Sequence, residues 1–261
     1  MTGVNPWNRA LVTGASSGIG RDLCRRLAKS GTDLVIVARR KDRLEDLAEE
    51  LTVDVEILVA DLSEPLELKK VEQRLQQDDK PVDLLINNAG IGNFGAFEDL
   101  NLEAERRVID LNVVALHQLC YAAIKTMIVR KRGWILNVSS IVGFAPYPRS
   151  ATYGGTKAFV TNFSESLQTE MAPKGIVISA LCPGPVRTEF QQNAEVSIDA
   201  MPNVLVMESD EVAKIALEDL AKKKALIVPG IPMKTTRAIV KLIPAGMTRW
   251  ASGFISSKRK L

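Results

Sequence analysis

A glycine-rich turn near the start of the chain constrains the fold more than any other part of the sequence. The residues Thr13-Gly14-Ala15-Ser16-Ser17-Gly18-Ile19-Gly20 follow a short apolar run at 10–13 and lead into an amphipathic stretch at 20–30. Because glycine has no side chain, backbone N–H groups in such a turn can approach an anion closely, and the following helix adds a positive dipole end. The pattern predicts a cradle for the phosphates of a dinucleotide. Its residues would be Gly14, Ser16, Ser17, Gly18, Ile19 and Gly20.

Short apolar runs alternate with helical patterns along the rest of the chain. The run Asp33–Ala38 is almost continuously apolar, as expected of a strand that is buried on both faces. Residues 41–51 place leucines at the spacing of one helix face. Further strands are predicted at 56–60, 82–86, 134–139, 176–181 and 225–228. We therefore predict an α/β fold with a doubly wound parallel sheet (a Rossmann fold), as a single domain over residues 1–261 with helices on both faces.

Composition excludes several classes of protein. The 261 residues are 46% hydrophobic and 25% charged, which is ordinary for a folded protein, and no uninterrupted apolar run reaches the roughly 18 residues of a spanning helix. Cys24, Cys120 and Cys182 are far apart and His117 is the sole histidine, so we expect neither a disulfide framework nor a metal site. These features favour a cytoplasmic protein. A net charge of +3 without a basic, aromatic stripe predicts no nucleic-acid partner.

The C-terminal extension, residues 231–261, differs from the rest of the chain in charge. It holds seven basic residues and no acidic one, which leaves the other residues with a net charge of −4. Its basic residues are interleaved with Trp250 and Phe254, a pattern typical of a helix lying on an anionic membrane. We expect peripheral membrane contact here. The alternative is a helix that covers the substrate pocket or a partner subunit.

Two further regions are candidates for contact with a substrate. Residues 184–206 form the least regular stretch and are interpreted as a substrate lid, the alternative being a surface insertion. Aromatic residues flank the motif segments and would line an apolar pocket, unless they serve ordinary packing. These residues are Phe94, Phe97, Phe144, Tyr147 and Phe190.

Two arginines follow the second predicted strand, about 20 residues beyond the glycines, where an acidic residue would hold the ribose 2′-hydroxyl of NAD. The sequence has Arg39 and Arg40 there instead. Guanidinium groups bind phosphate through paired hydrogen bonds, so this pair favours NADP(H) over NAD(H). The alternative is that both are merely solvated residues at a helix start.

A tyrosine and a lysine four residues apart are the candidate chemical groups. On a helix Tyr153 and Lys157 share one face, and we expect the ammonium to lower the pKa of the phenol. Such a phenol can exchange a proton with a substrate oxygen. Ser140 ends a predicted strand, where its hydroxyl could polarise a carbonyl. Gly154 and Gly155 predict the close approach of another backbone, or else a frayed first turn.

In this order and at this spacing, the motifs resemble the classical short-chain dehydrogenase/reductase family over most of residues 7–230. The motifs are Thr13-Gly14-x-x-x-Gly18-x-Gly20, Asp61, Asn87-Asn88-Ala89-Gly90, Asn112, Ser140, Tyr153-x-x-x-Lys157 and Pro183-Gly184. The resemblance implies that Tyr153 is the catalytic acid/base and that Ser140, 13 residues before it, polarises the carbonyl. It implies that Lys157 binds the nicotinamide ribose and that Asn112 supports a water linking Lys157 to solvent. Gly155-Thr156 departs from the family's frequent Ala-Ser.

The resemblance also implies further cofactor contacts and an activity. Asp61 would contact adenine, Asn88 the ribose, and Thr188 the nicotinamide. The neighbouring positions expected at the cofactor are Leu62, Ala89, Gly90, Pro183, Gly184 and Val186. The implied activity is hydride transfer between NADP(H) and a carbonyl or alcohol of a small, apolar substrate, in a homodimer or homotetramer that pairs helices near 112–128 and 153–171. Two alternatives stay open, a 3-oxoacyl reductase acting on a carrier-bound chain and a non-catalytic NADP(H)-sensing binding protein.

Overall fold

The structure is a computed structural model that describes residues 6–193 and 201–230, together with Met233 and Thr235. Most of the C-terminal extension and residues 194–200 of the predicted lid lie outside the described residues. The membrane contact and the lid therefore stay predictions.

Nine strands are found in the described residues, and they form two sheets. They are β1 (Arg9–Thr13), β2 (Asp33–Ala38), β3 (Val55–Val59), β4 (Leu84–Asn87), β5 (Gly133–Val138), β6 (Ile176–Leu181), β7 (Val186–Arg187), β8 (Met207–Glu208) and β9 (Leu226–Ile227). The main sheet is parallel throughout, in the order β3-β2-β1-β4-β5-β6-β9, and β7 pairs with β8. This is the predicted doubly wound parallel sheet, and the fold prediction is confirmed.

Helices connect the strands. They are α1 (Gly18–Lys29), α2 (Lys41–Glu50), α3 (Pro65–Leu75), α4 (Leu102–Ile109), α5 (Leu116–Arg130), α6 (Ala151–Met171), α7 (Glu189–Asn193) and α8 (Ser209–Ala221). A π-helical turn, Asp110–Ala115, joins α4 to α5. Short 3₁₀ turns occupy Phe97–Asp99, Ile141–Phe144, Ala172–Lys174 and Asn203–Leu205.

The sheet is buried on both faces, as the continuous apolar run of β2 predicts. Leu34 and Ile36 pack with α1, α2 and α8 on one face. Val35 and Val37 pack with α3, α5 and α6 on the other. All four side chains are fully buried, because successive residues of a strand point to opposite faces. The two helix layers therefore fix the strands from both sides.

The parallel arrangement brings the carboxyl ends of the strands to one edge of the sheet. The connections from β1 and β4 diverge there, which makes the crevice between these strands the switch point where ligands bind in open α/β sheets. The segments that follow β1, β4, β5 and β6 begin at Gly14, Asn88, Ser139 and Cys182. Nearly all predicted site residues lie in or near such segments.

One helical run in the described residues, Leu102–Arg130, is long and apolar enough to cross a membrane by length and composition. It comprises α4, the π-helical turn and α5. Of its most apolar stretch, 44% is buried inside the protein. Leu119, Ala123 and Met127 belong to the core between α5 and the sheet, so much of this apolar character serves internal packing.

Candidate active site

The glycine turn after β1 has a backbone that other residues would rarely adopt. Gly14 and Gly18 have φ angles of +66° and +52°. A Cβ on Gly20 would lie 2.3 Å from the carbonyl oxygen of Gly14, so the helix start and the turn touch directly. Within the described residues Ser17, the N-cap residue of α1, makes no side-chain capping bond, and the first turn holds no acid. The open helix N-terminus therefore fits a phosphate group.

The segment after β4 supports the shape of this cradle. The side-chain amide of Asn88 donates to the carbonyl oxygens of Thr13 at 2.9 Å and Gly14 at 3.2 Å. The hydroxyl of Thr13 accepts from the backbone N–H groups of Asn88 and Ala89, both at 3.0 Å. The side-chain amide of Asn88, which was expected near the ribose, thus binds the backbone of the glycine turn.

The two predicted arginines lie at different depths. Arg40 is half-buried and donates to the hydroxyls of Ser16 at 3.0 Å and Ser17 at 3.1 Å, so its guanidinium lies against the cradle. Arg39 is more exposed and lies 3.4 Å from a carboxylate oxygen of Asp61. Both positions border the region where a 2′-phosphate would bind in this architecture.

Asp61 is held in place by hydrogen bonds. Its carboxylate accepts from the backbone N–H of Ser63 at 3.0 Å and its hydroxyl at 2.6 Å, and Arg107 lies 3.1 Å away. Burial alone would raise the pKa of Asp61, but the bonds from Ser63 and two guanidinium charges lower it below its ordinary value. Leu62 is buried in the core, so its side chain contributes packing.

Tyr153 lies near the start of α6 in an aromatic surround. The ring centroids of Phe94 and Phe190 lie 5.4 Å and 5.6 Å from that of Tyr153. The side chain of Ser140 lies near the phenol of Tyr153. Burial raises the pKa of Tyr153, and the neighbouring Ser140 hydroxyl opposes that rise. A buried, neutral phenol beside a serine hydroxyl forms a pair of donors for one carbonyl oxygen.

Lys157 lies one turn after Tyr153 and is also buried. Its ammonium donates to the carbonyl oxygen of Val138 at 2.9 Å and lies 5.6 Å from the centroid of the Tyr153 ring. Burial lowers the pKa of Lys157 to about 8. We expected Lys157 to lower the pKa of Tyr153, but that pKa is raised. The physical reason is the burial of the phenol, which penalises its charged form.

Asn112 is positioned by the π-helical turn. Its amide donates to the carbonyl oxygen of Ile91 at 2.8 Å and to the hydroxyl of Thr156 at 3.1 Å, and it accepts from the N–H of Ile91 at 3.0 Å. A Cβ on Gly90 would lie 3.1 Å from the Asn112 side chain and 3.4 Å from the Lys157 ammonium. Asn112 and Lys157 therefore approach the same glycine.

The two serines after β5 have different surroundings. The hydroxyl of Ser139 donates to the carbonyl oxygen of Lys157 at 2.7 Å and lies 2.8 Å from the hydroxyl of Thr161, fully inside the protein. Ser140 is partly exposed and faces Tyr153. The geometry thus supports the choice of Ser140 over Ser139.

Gly154 and Gly155 were expected to allow the close approach of another backbone, but in the structure a different glycine, Gly143, makes such a contact. A Cβ on Gly155 would meet nothing within 4 Å, and one on Gly154 would make ordinary contacts from 3.7 Å, so that expectation is wrong. A Cβ on Gly143 would lie 2.7 Å from the carbonyl carbon of Lys157. The 3₁₀ turn after Ser140 therefore packs directly on the α6 backbone.

The segment that follows β6 runs from Cys182 and reaches the phosphate cradle at Thr188. Pro183 accepts from the N–H of Ile141, and a Cβ on Gly184 would lie 2.8 Å from Met233. Val186 is buried in the core. The methyl of Thr188 lies 2.9 Å from the place of a Cβ on Gly18, which brings this segment onto the phosphate turn.

The predicted pocket residues divide into two groups. Phe94 and Phe190 contact Tyr153. Phe144 packs beside a small cluster around Cys182, and Phe97 is 66% exposed. Tyr147 approaches Gly154, since a Cβ on Gly154 would lie 3.7 Å from the Cβ of Tyr147. Phe94 and Phe190 therefore flank the proposed acid/base, and the pocket lining itself stays a prediction.

Sequence reasoning missed several residues that contact the predicted ones. Glu189 binds both Arg40 and Arg43, and Arg107 pairs with Asp61. Their partners are 46 to 149 positions away in sequence, so no local spacing indicates these pairs. Among the described residues, no group of three His, Cys, Asp or Glu side chains is arranged to hold a metal ion.

Comparison with known proteins identifies the family and agrees with the fold. The profile of the short chain dehydrogenase family matches residues 8–198. A short-chain dehydrogenase from Sphingobium yanoikuyae, solved in complex with NADPH, is 37% identical, with a TM-score of 0.83 over 97% of this chain and 96% of that one. The bulky-bulky ketone specific alcohol dehydrogenase from Comamonas testosteroni is 35% identical, with a TM-score of 0.80 over 97% and 95%.

A relative known from its sequence gives the same family. A short chain dehydrogenase of Pseudocercospora fijiensis is 37% identical over 186 residues, 69% of this chain, and the match spans 60% of that protein's own length. The family profile covers well over half of the chain, and solved members share the fold almost end to end. The chain therefore belongs to the short-chain dehydrogenase/reductase family of oxidoreductases.

Proposed function

We propose that the protein is an NADP(H)-dependent oxidoreductase that interconverts an apolar ketone or aldehyde and its alcohol. The observation that carries the proposal is the group formed by Ser140, Tyr153 and Lys157 at the carboxyl edge of the sheet, next to an open phosphate cradle. When bound, the nicotinamide would supply or accept the hydride. The protein supplies the rest of the chemistry.

The chain's own residues hold and move the proton. The hydroxyls of Ser140 and Tyr153 would donate to the carbonyl oxygen of the substrate, and Tyr153 would deliver its proton to that oxygen. Lys157, fixed by the Val138 carbonyl, places positive charge over the phenol ring and would favour its phenolate after transfer. Asn112, whose side chain approaches the same glycine as Lys157, lies where a proton path to solvent could continue.

Two features support NADP(H) as the cofactor. Arg39 and Arg40 follow β2 at the place where an acid would select NAD(H), and Arg40 touches the cradle serines. A relative of this chain, from Sphingobium yanoikuyae, was solved in complex with NADPH. Comparing the dissociation constants of NADPH and NADH by fluorescence would test this preference, and tighter binding of NADH would contradict it.

An apolar substrate is favoured by the surround of Tyr153. The rings of Phe94 and Phe190 flank the phenol, and apolar walls with a few polar groups are typical of small-molecule pockets. The Comamonas relative is described as specific for bulky-bulky ketones. We propose a substrate of this class, bound under residues 184–206 as a lid. We propose further that the protein acts in the cytoplasm and that residues 231–261 contact a membrane surface.

Tyr153→Phe tests the proposed role of the phenol. We expect kcat to fall by about 100-fold or more, because the proton donor is lost, while NADPH affinity changes little. NADPH absorbance would be followed with a panel of ketones and aldehydes. Phe97→Leu, a change at an exposed ring, is the control. Full activity of Tyr153→Phe would contradict the assignment, and no turnover with any carbonyl by the unmodified protein would favour a sensing role.

A further inference from the structure

Glu189 forms ion pairs with Arg40, which follows β2, and with Arg43. One carboxylate oxygen lies 2.9 Å from a guanidinium nitrogen of Arg40, and the other bonds Arg43 on α2. Arg40 is the residue that also donates to the cradle hydroxyls of Ser16 and Ser17. An acid far along the chain thus lies against the place proposed for the 2′-phosphate.

The neighbours of Glu189 in sequence contact two other parts of the site. Thr188 packs onto Gly18 in the phosphate turn. Phe190 covers Tyr153, with ring centroids 5.6 Å apart. Three consecutive residues therefore bridge the phosphate turn, the arginines and the phenol.

We propose that Glu189 is an internal competitor of the 2′-phosphate for Arg40, so that binding of a 2′-phosphorylated nucleotide releases the bridge of residues 188–190 and uncovers Tyr153. This inference rests on the proposed NADP(H) preference and deepens it. The Glu189 carboxylate would lower the affinity for the phosphorylated cofactor. Its release would also link cofactor binding to the opening of the space beside the Tyr153 phenol.

Charge decides the competition. The Arg40 and Arg43 bonds lower the pKa of Glu189, so its carboxylate is ionised at neutral pH. A carboxylate and a phosphate on one guanidinium repel each other, and the phosphate carries more charge and more acceptor oxygens. The ion pairs of Glu189 are half-exposed, and exposed pairs are weak. A phosphate held by Arg40 and the cradle hydroxyls would therefore displace the carboxylate.

The experiment uses the full chain and two simple nucleotides, 2′,5′-ADP and 5′-AMP, which differ by the 2′-phosphate. Isothermal titration gives both dissociation constants for the unmodified protein and for Glu189→Gln. We expect the substitution to tighten 2′,5′-ADP binding by roughly fivefold, the scale of exposed ion pairs, and to change 5′-AMP binding less than twofold. Unchanged or weaker 2′,5′-ADP binding would overturn the inference.

Glu50→Gln is the matched control. Glu50 also binds two arginines, Arg21 and Arg25, at a similar exposure, but it does not contact Arg40. Its substitution should leave both nucleotide affinities within twofold of the original. An equal gain in Glu50→Gln would show a general effect of net charge and would also overturn the inference.

Hydrogen exchange measures the release of the bridge directly. In the unmodified protein, backbone amides of residues 186–193 should exchange faster with 2′,5′-ADP bound than with 5′-AMP bound. In Glu189→Gln they should exchange fast with either nucleotide. Equal exchange in all states would contradict the release.

The nucleotide titrations distinguish a failure of this inference from a failure of the proposed NADP(H) preference. If the unmodified protein prefers 2′,5′-ADP and Glu189→Gln does not increase that preference, the inference alone is wrong. If neither protein distinguishes the two nucleotides, the arginines do not recognise the 2′-phosphate, and both the NADP(H) preference and the inference are wrong.

Discussion

Burial moves the pKa values of Tyr153 and Lys157 in opposite directions, and each shift favours the neutral form. The pKa of the phenol is raised, and that of the ammonium is lowered to about 8. A buried acid that keeps its proton at neutral pH is ready to donate it, and a lysine that titrates near pH 8 can exchange protons within the working range. At neutral pH only the buried ammonium of Lys157 costs stability, because the phenol of Tyr153 is uncharged in both the folded and the unfolded state.

Lys157→Met tests the cost of burying the ammonium. The pKa of Lys157 falls from 10.5 to about 8 on folding, so the penalty is complete below pH 8 and disappears as the pH rises through 10.5. The substitution removes a penalty of roughly 3 kcal/mol. It also removes the hydrogen bond to Val138, which contributes about 1 kcal/mol in the opposite direction. We expect the variant to be about 2 kcal/mol more stable at pH 7, with the gain vanishing at about pH 10 and turning into a loss of about 1 kcal/mol above pH 10.5, where only the lost bond remains.

Urea unfolding of the variant and the unmodified protein across this pH range measures the difference. Lys69→Met, at an exposed lysine paired with Glu72, is the control and should show no comparable pH dependence. A variant that is less stable at pH 7 would contradict the burial argument. Lys157→Met should also bind NADPH more weakly, because the family role of this lysine includes a ribose contact.

Among the elements, the turn Ile141–Phe144 and helix α6 meet at Gly143, and this contact sets the position of Ser140. Gly143→Ala would force atoms to within 2.7 Å, so we expect a loss of 1–3 kcal/mol in unfolding free energy, typical of overpacking, and a lower kcat. Gly155→Ala on the same helix meets open space and should instead stabilise by about 1 kcal/mol. Thermal unfolding of the two variants would separate these outcomes, and a stabilised Gly143→Ala would contradict the contact.

Sequence patterns predicted the buried elements well and the contacts between distant ones poorly. The strands Asp33–Ala38 and Ile176–Leu181 match their predicted bounds, because strands covered by helices on both sides are apolar throughout. Gly14, Asn88, Ser140 and Pro183 could be placed at one edge for a similar reason, since each follows a strand end. Asn112, Tyr153 and Lys157 lie in helical segments, and their roles rest on the family resemblance. Glu189 and Arg107, which pair with Arg40 and Asp61, come from elements brought close only by folding, and no local spacing encodes these pairs.

For the whole molecule, the outer faces of α5 and α6 carry exposed apolar side chains. Tyr121 on α5 is 60% exposed and Phe159 on α6 is 38% exposed, and Val114 in the adjoining π-helical turn is 39% exposed. The Phe159 ring stacks on that of Phe163, with centroids 5.3 Å apart. Apolar patches of this kind mark interaction surfaces. We propose that the homodimer or homotetramer pairs these helices, in line with the family resemblance.

Tyr121→Asp tests that surface. Burying a carboxylate in an apolar interface costs its hydration, so we expect the variant to be a monomer at concentrations where the unmodified protein is an oligomer. Light scattering after size exclusion gives the masses. Leu66→Asp, at a side chain 83% exposed on α3, is the control and should keep the original mass. An oligomeric Tyr121→Asp would place the interface elsewhere.

The π-helical turn Asp110–Ala115 has a consequence for how this chain could change in length. A turn closed by i→i+5 bonds holds one residue more than an α-helical turn, so it is equivalent to a single-residue insertion in a continuous helix. Losing one residue there would let α4 and α5 keep their rotational register while removing the widened turn that directs Asn112 at Ile91 and Thr156. We expect such a deletion to preserve the packing of the two helices and to interrupt the proposed proton path, so that the chain could lose a residue here and still fold but no longer act.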